Sequence, residues 1–383
     1  MSKTVLAQQV FSMIYDMKTL DELINSIKGP CEEAAREAEK RQAMLAKPPG
    51  SLGRLEELSV RLAAISGKIR NKVDKKMLLV FASDNGVVSE GVASAPKTVT
   101  YSQTVNLSRG KTGAAVIAKR LGCCLRVFDV GVDADIKEPG VIVKKIAYGT
   151  ADIMKGPAMT REQAVRAILT GVEAVIDAVN EGAQVIGIGE MGIGNTTTSS
   201  AIISTLTGKT AKEVTGRGGG ITDEAYDRKI RVIETALKVN APDPDDMIDT
   251  LSKIGGFDIA AMAGAYLGAA SMRVPAVIDG LPSSVAALVA VRICSDVRTF
   301  IIPSHASFEI GSRAVTEELM IKPLFDFGMR LGEGSGCPIA MMCLEAACAV
   351  MNEMATFKEA EIDDRYLDPI RKTDSFTVKD DRT

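Results

Sequence analysis

From about residue 75 onward, short β-branched runs alternate with helical stretches. This alternation is typical of an α/β protein with a mostly parallel sheet flanked by crossover helices. Ligands of open α/β sheets bind beyond the carboxyl ends of the strands, so the pattern also predicts the edge that carries a site. The predicted strands are MLLVFAS before Asp84-Asn85-Gly86, LRVFDV before Gly131, QVIGIG before Glu190, PAVID before Gly280 and TFIIP before Ser304-His305.

The first 70 residues have a helical pattern instead. Leu55, Leu58, Leu62 and Ile65 recur at the spacing of one buried helix face. The preceding KPPGSLG, residues 47–53, contains two prolines and two glycines and interrupts any continuous helix. We therefore expect a helical region over residues 1–70, a catalytic α/β domain over 71–335, and a C-terminal helix with a charged tail over 336–383.

Composition excludes several classes of function. The 46 Lys and Arg nearly balance the 49 Asp and Glu, aromatic residues are 4% and Trp is absent, which argues against a nucleic-acid partner. The longest apolar stretch, Ile259 to Met272, is too short to cross a bilayer. The N-terminus lacks the apolar core of a signal peptide, and the seven cysteines contain no C-x-x-C pair. A cytoplasmic protein with small-molecule substrates and no membrane partner is predicted.

The segment GIGEMGIGNTTTSSAII, residues 187–203, is the richest in candidate chemistry. Its glycines allow close backbone approach, and the cluster Asn195-Thr196-Thr197-Thr198 opens a helix whose free N–H groups favour an anion. A phosphate-binding turn is predicted. The string also matches the dinucleotide fingerprint, but TGKTAKEVTGRGGG, which follows, has no strand pattern, so a nicotinamide-dependent oxidoreductase is disfavoured.

A second glycine cluster, TGRGGG at residues 215–220, precedes a helix with Thr222 as its N-cap. The predicted buried stripe of that helix leaves Lys229 outside it. Lys229 is then either a solvated lysine or a cation for the phosphate. The predicted stripe consists of Tyr226, Ile230, Ile233 and Leu237.

A third segment, RLGEGSG at residues 330–336, places Glu333 between two glycines before an apolar helix. Such a carboxylate is either a general base or an acid that complements the dipole of the next helix. Together with Glu190, it forms the pair of candidate carboxylates. His305 is the only histidine, which excludes zinc sites built on several histidines.

At these motifs the chain resembles the nicotinate-nucleotide:5,6-dimethylbenzimidazole phosphoribosyltransferase family. The resemblance implies a Rossmann-like, mostly parallel sheet with a smaller helical domain from chain-end segments, a homodimer, and no cofactor or metal. The resembling strings cover most of residues 47–357: KPPGSLGRLEEL, ASDNGVVSEGVASAP, GEMGIGNTTTSSAI, TGRGGGITDE, GGFDIAAMAGAYLGAA, PAVIDGLPSSVAALVA, SHASFEIGSR and LGEGSGCPIAM.

The resemblance also implies a reaction. A base attacks C1′ of nicotinate mononucleotide with inversion, and nicotinate departs. The family's general base matches Glu333 and its second carboxylate matches Glu190, with Gly332 beside them. Asp279 and Ser307 are expected near the ribose and the nicotinate. The residues expected to hold the 5′-phosphate are Gly192, Asn195, Thr196, Thr197, Gly218 and Lys229.

The motifs specify less closely which base accepts the phosphoribosyl group. Ser89 matches the polar residue that lines the benzimidazole pocket, whereas Lys97 stands where family members have Gln, and Met191 where they have Leu. Phenol, p-cresol or a purine is an alternative acceptor for the phosphoribosyl group. A heteromer of unequal subunits is an alternative to the homodimer. A catalytically weak subunit that stabilises a related partner is the non-enzymatic alternative, and the presence of Glu333 and Glu190 argues against it.

Overall fold

The computed structural model describes residues 18–368. The N-terminal segment in which no signal peptide was predicted and the last fifteen residues of the charged tail lie outside this range. The described chain forms two compact units, one from residues 18–29 and 75–341 and one from residues 30–74 and 342–368. The domain boundaries stated above stay a prediction.

The described chain begins with helix α1 (residues 18–26). The smaller unit then contains α2 (Glu32–Met44) and α3 (Arg54–Ser66), which confirms two helices around the KPPGSLG loop. Leu58, Leu62 and Ile65 are buried, as the helical spacing predicts. The loop is held by a buried ion pair in which Lys47 Nζ lies 2.7 Å from Glu56 Oε1.

A six-stranded sheet in the order β3-β2-β1-β4-β5-β6 is the centre of the larger unit, and every neighbouring pair is parallel. All five predicted strands are present. The sixth, β3, was missed: two of its three residues are exposed, and its apolar run ends directly at Lys144 and Lys145. The strands are β1 (Lys76–Ser83), β2 (Cys123–Gly131), β3 (Val141–Val143), β4 (Val185–Met191), β5 (Ala276–Ile278) and β6 (Ile301–Pro303).

The strand order contains a switch point. The chain runs outward from β1 to β3 on one side, and from β4 to β6 on the other. The connections on either side of the β1–β4 pair therefore diverge and leave a crevice at the carboxyl ends of these strands, where α/β sheets bind their ligands. This is the edge that the sequence pattern predicts.

Helices cover the sheet, and their small residues let them approach closely. At Gly171 and Gly264 an added Cβ would collide with the backbone at Ala261 and Ile168 respectively. The Ala- and Gly-rich stretch is thus a helix of the protein core, and no helix within residues 18–368 is long and apolar enough to span a membrane. The remaining helices are α4 (Thr98–Ser108), α5 (Gly113–Arg120), α6 (Arg161–Asn180), α7 (Asn195–Thr207), α8 (Ala211–Val214), α9 (Asp223–Asn240), α10 (Met247–Ile254), α11 (Phe257–Ser271), α12 (Leu281–Ile293), α13 (Gly311–Leu319) and α14 (Cys337–Glu353).

Candidate active site

A cavity of about 260 Å³ opens in the larger unit, where β4 ends and α7 begins. It brings together both candidate carboxylates, which are 143 positions apart in the chain, and most of the residues proposed for the substrates. The predicted residues that line it are Glu190, Met191, Gly192, Asn195, Thr196, Gly218, Lys229, Ser307, Gly332 and Glu333.

Glu333 lies in a segment with unusual backbone geometry, Gly332–Gly336, here called the Glu333 loop. The φ angles of Gly332, Glu333 and Gly334 are all positive, at 81°, 61° and 80°. A glutamate rarely adopts this left-handed conformation, because its Cβ crowds the backbone there. Residues in such sparsely populated regions cluster at functional sites, which favours a functional role for Glu333.

Asp279 holds the Glu333 loop in place. Its Oδ2 accepts a hydrogen bond from the Gly334 amide at 3.0 Å, and its Oδ1 accepts one from the Gly336 amide at 2.8 Å. The loop also approaches β4 so closely that a Cβ at Gly189 would lie 2.5 Å from the Gly334 nitrogen. Asp279 does not line the cavity itself. Its carboxylate contacts the loop, and Oδ1 also lies 4.0 Å from Nδ1 of His305, which lines the cavity. The place of Asp279 near the ribose stays a prediction.

The Glu333 carboxylate is buried, and its donors come from the neighbouring helices. Gln103 Nε2, on α4, donates to Glu333 Oε1 at 3.1 Å. Burial raises the pKa of Glu333, whereas hydrogen bonds from Thr112, Gln103 and the Ala114 amide act in the opposite direction. Thr112 is the N-cap of α5. The carboxylate thus interacts with the start of α5, not with the helix that follows it in sequence.

Glu190 lies beside this loop and is enclosed more completely. Its Oε2 accepts a hydrogen bond from Asn195 Nδ2, and its Oε1 accepts one from the Glu333 amide at 3.4 Å. Burial, followed by the nearby charge of Asp258, raises the pKa of Glu190 to about 8. At neutral pH Glu190 is therefore mainly protonated.

The two glycine-rich segments meet at Lys229. Its Nζ donates to Thr196 Oγ1 at 2.8 Å and to the Gly216 carbonyl at 3.2 Å. Lys229 is only 1% exposed, which excludes the solvated-lysine interpretation. Burial lowers its pKa to about 8, while the charge of Glu309 opposes this effect. A protonated ammonium group in such a place favours an anionic ligand.

The predicted buried stripe of α9 is therefore wrong in its phase. Of the four stripe residues only Ile233 is fully buried, and the other three are half-buried. The aliphatic stem of Lys229 occupies the buried face, because its ammonium group finds partners on α7 and on the glycine segment. The N-cap at Thr222 is as predicted. The residues of the buried face are Lys229, Val232, Ile233, Ala236 and Asn240.

Three further predicted residues do not line the cavity. Thr197 is fully buried on α7, and Ser89 Oγ donates to the Gly86 carbonyl at 2.9 Å. Lys97 forms an ion pair with Asp133 and lines a separate cavity beside Asp84. The charge of Lys97 is thus already neutralised by a neighbouring carboxylate.

A phosphoribosyltransferase family model matches residues 27–362 of the chain. A Clostridium perfringens protein named nicotinate-nucleotide–dimethylbenzimidazole phosphoribosyltransferase is 47% identical over 359 residues, which cover 94% of this chain and 99% of that protein. The chain belongs to this phosphoribosyltransferase family. A protein of the same name from Ruminiclostridium cellulolyticum is 48% identical over 345 residues, covering 90% of this chain and 98% of that protein.

Solved structures of the phosphoribosyltransferase family have the same fold. The crystal structure of CobT from Thermus thermophilus superposes with a TM-score of 0.84 at 38% identity, covering 87% of this chain and 99% of that one. The expectations of a Rossmann-like α/β fold, of this family and of a phosphoribosyl-transferring enzyme are confirmed. The oxidoreductase is correspondingly set aside, and the catalytically weak subunit is left to the turnover experiment.

The fingerprint-like glycines of this phosphoribosyltransferase serve packing. Gly187 and Gly189 lie within β4 itself, and a Cβ at Gly187 would lie 2.6 Å from the Cβ of Cys337. Between β4 and β5 the structure contains helices and loops without a strand. The second strand that a dinucleotide fold requires is therefore missing, as the sequence indicates.

The cavity of this phosphoribosyltransferase also includes residues that sequence reasoning missed. Arg217 lies in TGRGGG and Arg330 in RLGEGSG. A positive charge next to glycines was therefore the sequence signal that could have assigned both arginines to the site. Gln103 lies in α4 with no local pattern that points to the site. His305 and Glu309 follow β6, where a strand end was predicted but its side chains were not assigned. All five line the cavity.

Proposed function

We propose that this enzyme transfers the 5-phosphoribosyl group of nicotinate mononucleotide to 5,6-dimethylbenzimidazole or a similar lower-ligand base. The products are α-ribazole 5′-phosphate and nicotinate. The observation that carries the proposal is the combination of near full-length identity to enzymes of that name with a cavity that holds a Glu pair and a buried lysine. The residue roles below are part of the proposal.

In the proposed reaction, a ring nitrogen of the base forms a bond to C1′ as the bond from C1′ to the pyridinium nitrogen breaks. The electron pair of the broken bond returns to the pyridine ring, so nicotinate leaves with a neutral nitrogen and needs no protonation. The incoming azole, in contrast, must lose its N–H proton. The site therefore needs one general base and no general acid.

Glu333 is the better candidate for that base. The pKa of Glu190 is raised to about 8, whereas in Glu333 the upward effect of burial on the pKa is opposed by hydrogen bonds from Thr112, Gln103 and the Ala114 amide. Neighbouring titratable groups whose environments separate their pKa values commonly divide such roles. We assign proton removal to Glu333 and a hydrogen-bonding role in the cavity to Glu190.

The 5′-phosphate is assigned to the region of Lys229. Thr196 at the first turn of α7, Gly218 and Lys229 surround this part of the cavity, and a helix start next to a buried ammonium group is a favourable anion site. Arg330 adds positive charge to the lining, whereas Arg217 is paired with Asp223 and Glu309 brings a carboxyl group to the same cavity. Ser307, which also lines the cavity, then faces the ribose and the nicotinate.

We further propose that the enzyme is a homodimer and works in the cytoplasm. Support for a dimer comes from four exposed apolar side chains, Phe308, Ile310, Phe327 and Leu331, which lie at or within three chain positions of a cavity-lining residue, since exposed apolar surface can mark an interaction site. Support for a reducing compartment comes from the seven cysteines, all of which are free thiols.

The test is turnover by the purified enzyme. Nicotinate mononucleotide is incubated with 5,6-dimethylbenzimidazole, and separately with a purine, phenol and p-cresol, and each product is identified by mass spectrometry. We expect α-ribazole 5′-phosphate and stoichiometric nicotinate with the benzimidazole. Products with oxygen acceptors only would overturn the proposed acceptor, and absence of nicotinate release with every acceptor would overturn the reaction.

A further inference from the structure

A buried network connects Glu190 to a carboxylate that does not line the cavity. Asn195 Nδ2 donates to Glu190 Oε2 and also to Asp258 Oδ2, the latter at 3.1 Å. Asp258 is the second residue of α11 and is completely buried. One amide group on α7 therefore links a carboxyl at the end of β4 to a carboxylate at the start of α11.

The surroundings of Asp258 are shaped for a carboxylate. Its Oδ1 accepts a hydrogen bond from the Ile259 amide at 3.0 Å. The backbone encloses it so closely that a Cβ at Gly192 would lie 2.6 Å from Oδ2, and one at Gly256 would collide with Oδ1. A larger residue at either glycine would displace Asp258.

A role in helix stability alone does not account for this arrangement. Asp258 is the only charged residue in α11, and an acid in the first turn does complement the helix dipole. Burying a carboxylate is nevertheless costly without a cation, and no ion pair of Asp258 exists within the described part of the chain. The helix dipole also does not explain why the Asn195 amide donates hydrogen bonds to both Glu190 and Asp258.

The charges around Glu190 agree with the geometry. After burial, Asp258 makes the largest contribution to the raised pKa of Glu190, and Asp279 adds to it. The Asn195 amide and the Glu333 amide act in the opposite direction. Burial also raises the pKa of Asp258, to about 6, so at neutral pH Asp258 is mainly ionised while Glu190 keeps its proton.

We infer that Asp258 is a positioning residue for the phosphoribosyl transfer. Through Asn195 it fixes the orientation of the Glu190 carboxyl, and its negative charge keeps that carboxyl protonated beside the Glu333 loop. The inference rests on the proposed function, because it takes Glu190 to act in the cavity.

The experiment compares the parent enzyme with Asp258→Asn, which keeps the size of the side chain and removes its charge. The pH dependence of kcat is measured for both, and Glu190→Gln identifies the limb that belongs to Glu190. We expect Asp258→Asn to lower kcat on the order of 10- to 100-fold, to change KM for the nucleotide little, and to move the Glu190 limb to lower pH. The shift follows because the repelling charge is gone.

A second readout does not need activity. The carbonyl stretch of protonated Glu190 is followed by infrared spectroscopy against pH, and it is assigned by its loss in Glu190→Gln. We expect this band to disappear at lower pH in Asp258→Asn than in the parent. If Asp258→Asn is insoluble, Asp258→Ser, which also removes the charge, is expected to shift the band in the same direction.

Asp129→Asn is the matched control. Asp129 is fully buried in β2, accepts hydrogen bonds from the Gly131 and Val132 amides, and pairs with Lys145. This variant is expected to lower stability and to leave the Glu190 band where it is.

Unchanged kcat and an unmoved band in Asp258→Asn would overturn the inference, and so would activity lost only in proportion to unfolded protein. Absence of turnover in the parent enzyme would instead contradict the proposed function. The infrared shift would still decide whether Asp258 controls the protonation of Glu190.

Discussion

At the scale of single residues, Glu333 and Lys229 are ionisable side chains that the fold buries at the candidate site. Each carries an ionisable group that is at least 95% buried, and each is held by neutral partners, an amide or hydroxyl donor for Glu333 and oxygen acceptors for Lys229. Buried ionisable groups without an opposite charge in direct contact are costly. Under the proposed function, the substrates supply the missing partners, a proton for Glu333 and a phosphate for Lys229.

Glu333→Gln tests the proposed base. The amide cannot accept the azole proton, while its size and its hydrogen bond with Gln103 can be kept. We expect kcat to fall by about 10²- to 10⁴-fold with an unchanged melting temperature. Steady-state kinetics at saturating substrates, with circular dichroism for folding, provide the measurement. A kcat within a few-fold of the parent value would contradict the assignment.

Lys229→Met tests the phosphate site. The substitution keeps the buried stem and removes the charge, so we expect KM for nicotinate mononucleotide to rise on the order of 10- to 100-fold, as for the loss of a charged hydrogen bond, with a smaller effect on kcat. Lys238→Met, at an exposed position of α9, is the control and should change neither parameter. Equal KM values in the two variants would disprove a phosphate contact at Lys229.

At the scale of elements, the Glu333 loop depends on glycines where β4 and the loop approach each other. Gly332 has a positive φ, and a Cβ on it would lie 2.5 Å from Glu190 Oε1. Gly189 in β4 meets the backbone of Gly334 in the same way. The position of the Glu333 carboxylate is therefore set by close contacts between the loop and β4, which explains why glycines surround it.

Gly332→Ala tests this dependence. The added methyl group should push the loop away from Glu190 and lower kcat on the order of 100-fold, since a displacement of about 1 Å can have that effect. Gly328→Ala is the matched control, because Gly328 also has a positive φ but nothing lies within 4 Å of an added Cβ. In both variants an alanine must adopt a positive φ, so the backbone strain is similar. If kcat falls equally in both, strain and not the contact with Glu190 is the cause.

At the scale of the whole molecule, four of the exposed apolar side chains, Phe308, Ile310, Phe327 and Leu331, lie at or within three chain positions of a cavity-lining residue. Phe308 is 72% exposed and Phe327 is 67% exposed, and Leu331 both lines the cavity and is exposed. Burying an aromatic side chain on association contributes about 1.5–3 kcal/mol. A second copy that covers these residues would therefore also close the region beside the site.

Phe308→Asp is expected to convert the proposed dimer to a monomer, because a carboxylate would have to be desolvated at the interface. Sedimentation equilibrium over a range of concentrations measures the change. Val239→Asp, which alters an exposed apolar residue at the end of α9, should leave the dimer intact. A parent enzyme that sediments as a monomer at every concentration would refute the dimer.

The strands, the edge of the site and the glycine segments could be predicted from the sequence, because each is encoded in a few adjacent residues. β-branched runs, turn glycines and an N-cap such as Thr222 act on their own neighbourhood, and so their pattern can be recognised along the chain. The near complete set of family motifs then indicated the reaction. The edge strand β3 lacks this signal because two of its three residues are exposed and two lysines follow it, whereas the equally short β5 and β6 are fully buried.

Folding alone determined which distant groups meet. The tertiary fold placed Gln103, Glu190 and Glu333 around one cavity. It also buried Lys229 on α9, whereas the periodicity predicted a buried face that contains Tyr226 and leaves Lys229 outside. Asp258 acquired its link to Glu190 only through Asn195 on a third element. Burial and electrostatic coupling depend on distances between elements, and the order of residues in one chain does not contain those distances.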